Sequence, residues 1–379
     1  MTRILPGATI GFLGGGQLAR MSALAARAMG YDVQVLDPDP DCPARAIATR
    51  TVTARYDDVE AATAFAHDCD VITLDIEQVS TASIAAASLQ APVHPGAAPI
   101  HIIQDRGRQK EWLQQHRFPV APFRIAHTAA DVAAAYEALG RSIAKTTSGG
   151  YDGRGQARIR SAHDVVAAGA LTESATVVVE QWIELAGEIS VMVARSSNGE
   201  VRTFPLSWNH HDNGVLTWAM TPAPVSDVTT DAAIALASAI AAEIGIVGLL
   251  AVELFITADD TLMVNELAPR PHNTFHATER ACLTSQFEQQ VRAICGLPLG
   301  STALQSAGAI VNLLGDLWPA DGQQPRWERA LAVPGVRLHL YGKKLAKPGR
   351  KMGHLSAVAP TPEAARDLVL DAYARLLPH

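Results

Sequence analysis

Apolar and polar positions run along this chain in short blocks whose period switches between strand and helix. Ala8-Thr-Ile-Gly-Phe-Leu13 is a brief apolar run, and the Ala- and Met-rich stretch from Arg20 to Met29 predicts a helix closed by Gly30. Tyr31-Asp-Val-Gln-Val-Leu36 alternates as a strand, with Asp37 at its end. This is a β-α-β unit with the turn Gly14-Gly-Gly16 at the carboxyl end of its first strand. Short helices are expected over Ala44 to Ala48 and Val59 to Phe65, and a strand over Val71 to Ile76. Val93-His-Pro-Gly96 closes the unit. Further on, Asp105 to His116 predicts a helix with Lys110 in its interior. Strands are expected over Arg141 to Lys145 and Ala175 to Ile183. Gly187 to Arg195 and Val201 to Phe204 read as an antiparallel pair around Ser196-Ser-Asn-Gly199. Asn209 to Gly214 is expected to be a polar loop, and Asp231 to Ile244 an Ala-rich helix.

The stretch from Ala251 to Arg270 predicts two apolar strands joined by the polar turn Thr257 to Thr261. Each strand carries one carboxylate in apolar company, Glu253 and Glu266. An unpaired buried carboxylate costs several kcal/mol, and two on one face repel, so a cation between them is expected. A hard divalent ion such as Mg²⁺ suits oxygen ligands of this kind, and Asn265 could add another oxygen. Arg270 follows with a fork of donors suited to phosphate. An ordinary hairpin whose acids pair with distant lysines fits the same pattern. Ser285 to Cys295 reads as a helix, Ala309 to Leu314 as a strand opening a small final domain, and Pro362 to Leu377 as a closing helix.

Composition narrows the class. The 379 residues carry 31 Lys plus Arg against 38 Asp plus Glu, for a net charge of -7, so a basic nucleic-acid footprint is absent. No run is long and apolar enough to suggest a membrane span or a signal peptide, and the cytoplasm is the expected location. Four widely spaced cysteines lack metal or redox spacing and read as free thiols.

Two glycine-rich loops carry chemistry. Gly14-x-Gly16-x-x-Ala19, with Asp37 downstream, formally matches a dinucleotide fingerprint, but so short a pattern is weak. The second loop is Thr146-Thr-Ser-Gly-Gly-Tyr-Asp-Gly-Arg-Gly-Gln156. Its backbone amides, from Gly150 and Gly153 to Gln156, can wrap phosphates, with Lys145 at the preceding strand end. The order is not that of a Walker A loop, and it predicts a hairpin lid over a triphosphate. An adenine could use backbone groups around Gln181, Trp182 and Ile183, and Glu188 could accept ribose hydroxyls. Glu77, past the carboxyl end of a parallel strand, could receive a substrate hydroxyl or amine. His210 and His211 are adjacent, which is poor spacing for two metal ligands. Tyr341 to His354 is a basic, glycine-containing stretch and a candidate anion site.

The quoted residues resemble, over the whole chain, the 5-(carboxyamino)imidazole ribonucleotide synthase family. The match runs through Gly14-Gly-Gly-Gln-Leu18, Gln104-Asp-Arg106, Gly149-Gly-Tyr-Asp-Gly153, Asn265-Glu-Leu-Ala-Pro-Arg-Pro-His-Asn273, Ser285-Gln-Phe-Glu288 and Arg350-Lys-Met-Gly-His354. The resemblance implies an α/β ATP-grasp fold with an N-terminal Rossmann-like parallel-sheet domain and a small C-terminal domain, in segments 1–102, 103–297 and 298–379. It implies ATP and Mg²⁺ as cofactors, aminoimidazole ribonucleotide and bicarbonate as substrates, and a homodimer. Lys110 and Lys145 would contact ATP phosphates, Glu180 to Ile183 adenine, and Glu188 with His211 the rest of the nucleoside. Glu253 and Glu266 would hold Mg²⁺. Gly15, Gly16, Gln17, Leu18, Glu77, Asn273, Arg350 and Lys351 would help hold the ribonucleotide. Arg270 and Lys343 would sit at the reacting carbon. The proton of the attacking amine would go to released phosphate, Asp152 or His276. The chain departs from the family pattern at Leu74, Asp75, Gln78 and Phe275, and Phe275 is expected to narrow a loop near the bicarbonate site.

Overall fold

The computed structural model describes residues 3–149, 155–319 and 323–377. Five parallel strands come first: β1 (Thr9–Leu13), β2 (Asp32–Asp37), β3 (Arg50–Thr53), β4 (Val71–Leu74) and β5 (Val93–His94). Their spatial order is β3-β2-β1-β4-β5. The chain therefore leaves β1 in one direction and returns as β4 on its other side. Loops from the two strands meet at a switch point, where open α/β sheets bind ligands. The helix Gln17–Ala28 starts directly from the glycine turn, three residues earlier than expected.

A second sheet comprises β6 (Phe123–Ala126), β7 (Ser142–Thr146), β8 (Gln156–Ile159) and β9 (Val177–Gln181), antiparallel in the order β6-β9-β7-β8. Lys145 on β7 is opposite Gln156 on β8, so the glycine loop is the connection of a hairpin. Asp105 caps the helix Arg106–Gln115 by accepting from the Arg108 N–H, which fixes where Lys110 emerges.

The third sheet is antiparallel and the largest. It contains β10 (Leu185–Arg195), β11 (Val201–Thr203), β12 (Ser207–Asp212), β13 (Val215–Thr221), β14 (Gly248–Thr257), β15 (Leu262–Ala268), β16 (Ala307–Leu314), β17 (Arg337–Leu340) and β18 (Lys351–Ala359). Its order is β15-β14-β10-β12-β13-β16-β18-β17, with β11 added beside β10. The helix Asp227–Glu243 buries Ala233, Ala237, Ile240 and Ala241 against Val191, Val193, Leu250 and Val252. The helix Gln286–Ile294 packs Val291 and Ile294 on Ile10, Phe12 and Val33 of the first sheet. Its Gln290 accepts from the Leu249 N–H of β14 at 2.9 Å and donates to Thr73 Oγ1 of β4 at 2.7 Å. One buried amide thus ties the acidic hairpin to the switch point.

Two expectations change, and the final domain gains detail. Asn209 to Asp212 is not a loop but most of β12. Asn209 donates to Ser190 Oγ at 2.7 Å and His210 stacks on Trp218, so the polar side chains are accommodated within the sheet. The strands after residue 306 form no sheet of their own, since β16 pairs with β13 and extends the third sheet. The basic stretch ends sooner than expected, because Lys351 to His354 already belong to β18. The four cysteines are buried free thiols. Among the described residues, no helix is long and apolar enough to cross a membrane.

Candidate active site

The acidic hairpin is formed, with a register shift beside Glu253. Glu253 and Glu266 are register partners across β14 and β15, which puts both carboxylates on one face. Glu253 is mostly buried, and Asn265 Nδ2 donates to its Oε2 at 3.3 Å. Burial first, and then the charge of Glu266, push Glu253 up to about 7. His272 Nε2 lies 3.4 Å from Glu253 Oε1, and Arg106 lies 3.9 Å from Glu266 Oε2. Two facing carboxylates and an amide oxygen within reach make a hard donor set, which fits a divalent cation such as Mg²⁺.

Lys110 and Lys145 converge from two elements onto one carboxylate. Glu180 Oε2 is 3.4 Å from Lys110 Nζ and 3.3 Å from Lys145 Nζ. Burial pushes Glu180 up, but the two ammonium charges more than offset it and hold the carboxyl at about 2. Burial also lowers Lys110, against the attraction of Glu180. The Glu180 carboxylate is thus the counter-ion of the lysine pair. The Gln181 N–H donates to Pro122 O and the Trp182 N–H to Arg141 O, both at 2.8 Å. An adenine edge must use other groups of Gln181 to Ile183. The Trp182 ring lies under Arg141 and Arg158, 5.5 and 5.9 Å from its centroid. On β12, His211 Nδ1 comes within 2.9 Å of Glu188 Oε2 on β10. Glu188 outweighs the effect of burial and raises His211.

At the switch point the glycine turn is already bonded. Gly15 N–H donates to Asp37 Oδ2 at 2.6 Å, Gly16 N–H to Asp75 Oδ2 at 2.8 Å, and Ala19 N–H to Asp75 Oδ1 at 2.5 Å. A Cβ on Gly16 would stand 2.3 Å from Asp75 Oδ2, so the turn admits only glycine there. Asp37, the acid of the apparent dinucleotide fingerprint, holds the turn and Tyr56 Oη at 2.8 Å instead of a ribose. The amides of Gly15 and Gly16 are thus engaged by Asp37 and Asp75. Leu18 packs its side chain into the interior, while Gly16 and Gln17 stay partly exposed.

Glu77, beyond β4, accepts from Arg270 Nε at 2.7 Å. Arg270 also acts electrostatically on Asp75, and both Glu77 and Glu266 act on Arg270. One guanidinium thus links the switch point of the first sheet to the acidic hairpin of the third. Lys351 at the start of β18 acts on Glu253, His211 and His272, which brings the basic segment to the same cleft. Lys343 Nζ donates to Lys351 O at 2.7 Å and lies 5.7 Å from the centre of the Tyr341 ring. Arg350 donates to Leu345 O at 3.0 Å. Asn273 is buried and donates to Asn312 Oδ1 at 2.9 Å, locking its segment to β16, while its own Oδ1 has no hydrogen-bond partner.

His276 is 1% exposed. Gln286 Oε1 accepts from the His272 N–H, so its amide nitrogen is fixed as the donor to His276 Nδ1 at 3.0 Å. His276 therefore carries its proton on Nε2, and the nitrogen that could accept a proton is engaged. This geometry counts against His276 among the three proton acceptors left open by the resemblance. Phe275 is corrected: it is buried against Phe204, with ring centroids 6.3 Å apart, in the core with Met192 and Leu299 rather than at the cleft. Gly150, Asp152 and Gly153 lie outside the described residues. Sequence reasoning assigned no role to Asp75, His272 or Arg106, although the latter two lie inside the quoted motifs.

Three family models match the chain: a ribonucleotide synthetase preATP-grasp domain over 7–104, an ATP-grasp domain over 111–287, and a phosphoribosylaminoimidazole carboxylase C-terminal domain over 308–368. The chain is 42% identical over 354 residues to N5-carboxyaminoimidazole ribonucleotide synthase of Bacillus subtilis, covering 93% of this chain and 92% of the relative. An ADP complex of an N5-carboxyaminoimidazole ribonucleotide synthetase superposes with a TM-score of 0.92 at 40% identity, over 98% of each chain. The Aspergillus clavatus enzyme in complex with ADP and 5-aminoimidazole ribonucleotide superposes with a TM-score of 0.89 at 31% identity, over 97% of this chain and 98% of that one. With the lysine pair, the acidic hairpin and the switch-point arginine in one cleft, the chain belongs to the N5-carboxyaminoimidazole ribonucleotide synthase family of ATP-grasp, ATP-dependent carboxylases.

Proposed function

We propose that this chain carboxylates the exocyclic amine of 5-aminoimidazole ribonucleotide with ATP and bicarbonate, giving the N5-carboxyamino product, ADP and phosphate in purine biosynthesis. The observation that supports it is the Arg270–Glu77 pair, which joins the acidic hairpin of a nucleotide-binding fold to the ligand-binding edge of a second sheet. A phosphoryl donor and a ribonucleotide acceptor can thus meet at one arginine.

In this reading bicarbonate oxygen attacks the γ-phosphorus of ATP, giving carboxyphosphate and ADP. Lys110 and Lys145 offset the charge on the moving phosphoryl group, and Glu180 holds both ammonium groups in place. Glu253, Glu266 and Asn265 would hold Mg²⁺, which when bound neutralises phosphate charge. Arg270 and Lys343 hold bicarbonate and then the new carboxylate. The amine nitrogen then bonds to the carbon of carboxyphosphate, or of the CO₂ it releases. The carbon–oxygen bond to phosphate breaks, and the departing phosphate takes the amine proton. Asp152 orients the amine. The segments 1–102, 103–297 and 298–379 are proposed as acceptor-binding, nucleotide-binding and closing units of a homodimer.

The test measures ADP release with bicarbonate and with formate, each with and without the aminoimidazole nucleotide. Release that requires bicarbonate and yields carboxylated nucleotide supports the proposal. Release only with formate assigns the chain to a formate-using ATP-grasp ligase. No release under any condition makes it a nucleotide-binding regulator.

A further inference from the structure

The β17–β18 hairpin sets His339 and His354 directly opposite one another, with rings nearly parallel and centroids 5.1 Å apart. Opposed residues on one face bring side chains within reach of a single ion. Glu279, on the short helix Thr278–Ala281, reaches over this pair, and its Oε2 is 3.8 Å from His339 Nδ1. That spacing is long for a hydrogen bond. It is close to the roughly 3.4 Å that separates two ligands of one tetrahedral zinc ion. One donor atom from each of the three residues lies within 4.8 Å of the other two. An ion among them would sit no more than roughly 2.8 Å from each, so shifts below about 1 Å bring all three to bonding distance.

The surroundings complete the pattern of a metal centre. Tyr341 Oη engages His354 Nδ1 at 2.9 Å, which leaves Nε2 as the ligand nitrogen and fixes the ring. An oriented outer partner of this kind accompanies metal-bound histidines. His276 stands next in line, its ring 4.8 Å from that of His354 and its buried Nε2 without a hydrogen-bond partner. His354 is buried, His339 partly so, and Glu279 is more than one-third exposed, so the cluster opens to solvent on the carboxylate side. Water would take a remaining position there.

We propose that His339, His354 and Glu279 form a site for a transition-metal dication of the zinc type, separate from the magnesium ligands of the reaction. Two imidazoles and one carboxylate favour zinc, cobalt or nickel over magnesium. The neighbouring charges sharpen this choice. Arg20 acts on His339 and Arg337 on Glu279, and both repel a cation. A weakly bound oxygen-seeking ion is excluded, whereas imidazole coordination can overcome the repulsion. Bound metal would clamp the segment after Asn273 to the hairpin that carries Tyr341 and Lys343.

The experiment uses the full chain, stripped with a chelator and kept in excess magnesium to fill oxygen-donor sites. Cobalt(II) serves as the probe, because four- or five-coordinate cobalt gives a strong visible band and octahedral oxygen sites give a weak one. One equivalent of cobalt should produce the band, and one equivalent of zinc should abolish it. His339→Ala and Glu279→Gln, both at the accessible side of the cluster, should weaken cobalt binding roughly tenfold or more. Both should retain magnesium-dependent turnover without zinc, and zinc should raise the melting temperature of the parent chain only. No strong band in the parent chain overturns the proposal. So does a band of equal strength and affinity in both variants, since the metal would then be bound elsewhere.

Discussion

Arg270 Nε and Glu77 Oε1 stand 2.7 Å apart, although they follow strands of different sheets. About a fifth of each side chain is exposed, so the pair is only partly desolvated. Removing one partner of a buried pair leaves an uncompensated charge, which costs several kcal/mol. Glu77→Ala should therefore destabilise the chain by about 2–3 kcal/mol, towards the low end because of the residual solvent. It should also lower kcat/KM for the aminoimidazole nucleotide far more than for ATP. Urea unfolding and steady-state kinetics check both. Equal losses for the two substrates would place Arg270 outside the acceptor half of the cleft.

Glu180 is the counter-ion of Lys110 and Lys145. Its charge raises Lys110 against the lowering effect of burial, so Glu180→Gln should lower Lys110 further. A lysine that loses its proton sooner no longer holds phosphate. The alkaline limb of kcat/KM for ATP should therefore move to lower pH in the variant, with KM for ATP raised at pH 8. An unchanged limb and KM would reduce Glu180 to a packing residue.

The two strands of the acidic hairpin were legible because their determinants are local. Apolar runs and one turn mark the strands and pair Leu254 with Val264, but a register shift beside Glu253, which local pattern does not record, is what brings Glu266 rather than Asn265 opposite it. Asp37 and Asp75 were not legible in the same way. Their carboxylates reach Gly15 and Gly16 only because β2 and β4 flank β1 in parallel, a pairing between residues 22 and 59 positions apart. Local pattern carries no record of that juxtaposition. The misreading of Asn209 to Asp212 has another cause. Its polarity is satisfied by Ser190 and Trp218 on neighbouring strands, so composition alone favoured a loop. The role of Glu180 was hidden because Lys110 and Lys145 come from a helix and a strand 35 residues apart.

Glu253 gives the hairpin a pH signature. Its folded pKa of about 7 lies above the ordinary carboxylate value of 4.5. Between these values the folded chain holds a proton that the unfolded chain has released. Stability therefore falls as pH rises through this window, and the full cost of the ionised group is present above pH 7. A divalent cation on Glu253 and Glu266 removes that cost. Magnesium should raise the melting temperature more at pH 8 than at pH 5.5, and Glu253→Gln should abolish the difference. Comparing samples with and without magnesium cancels the contribution of Glu279, which burial also pushes up to about 7. A magnesium effect that is equal at both pH values would separate the ion from Glu253.

The last prediction concerns the proton lost by the amine. A general base needs an accepting atom within reach of the amine. His276 offers none, since Nδ1 accepts from Gln286 and Nε2 carries the proton. Gln286 cannot simply turn over to free Nδ1. Its oxygen accepts from the His272 N–H at 2.8 Å and its nitrogen also donates to His272 O at 3.0 Å, so a flip would break three bonds. Burial further lowers His276 well below its ordinary pKa, which disfavours its charged form. His276→Gln should accordingly keep the shape of the kcat pH profile while losing about 1–3 kcal/mol of stability, the usual cost of disturbing a buried hydrogen-bonded group. Asp152→Asn should behave differently. If Asp152 orients the amine, carboxylated product should fall much further than ADP release, so that ATP hydrolysis becomes uncoupled. The two variants together locate the step. Loss of the acid limb in His276→Gln would return the histidine to the role of base. Equal, small losses of product and ADP in Asp152→Asn would leave the departing phosphate as proton acceptor without help from that carboxylate.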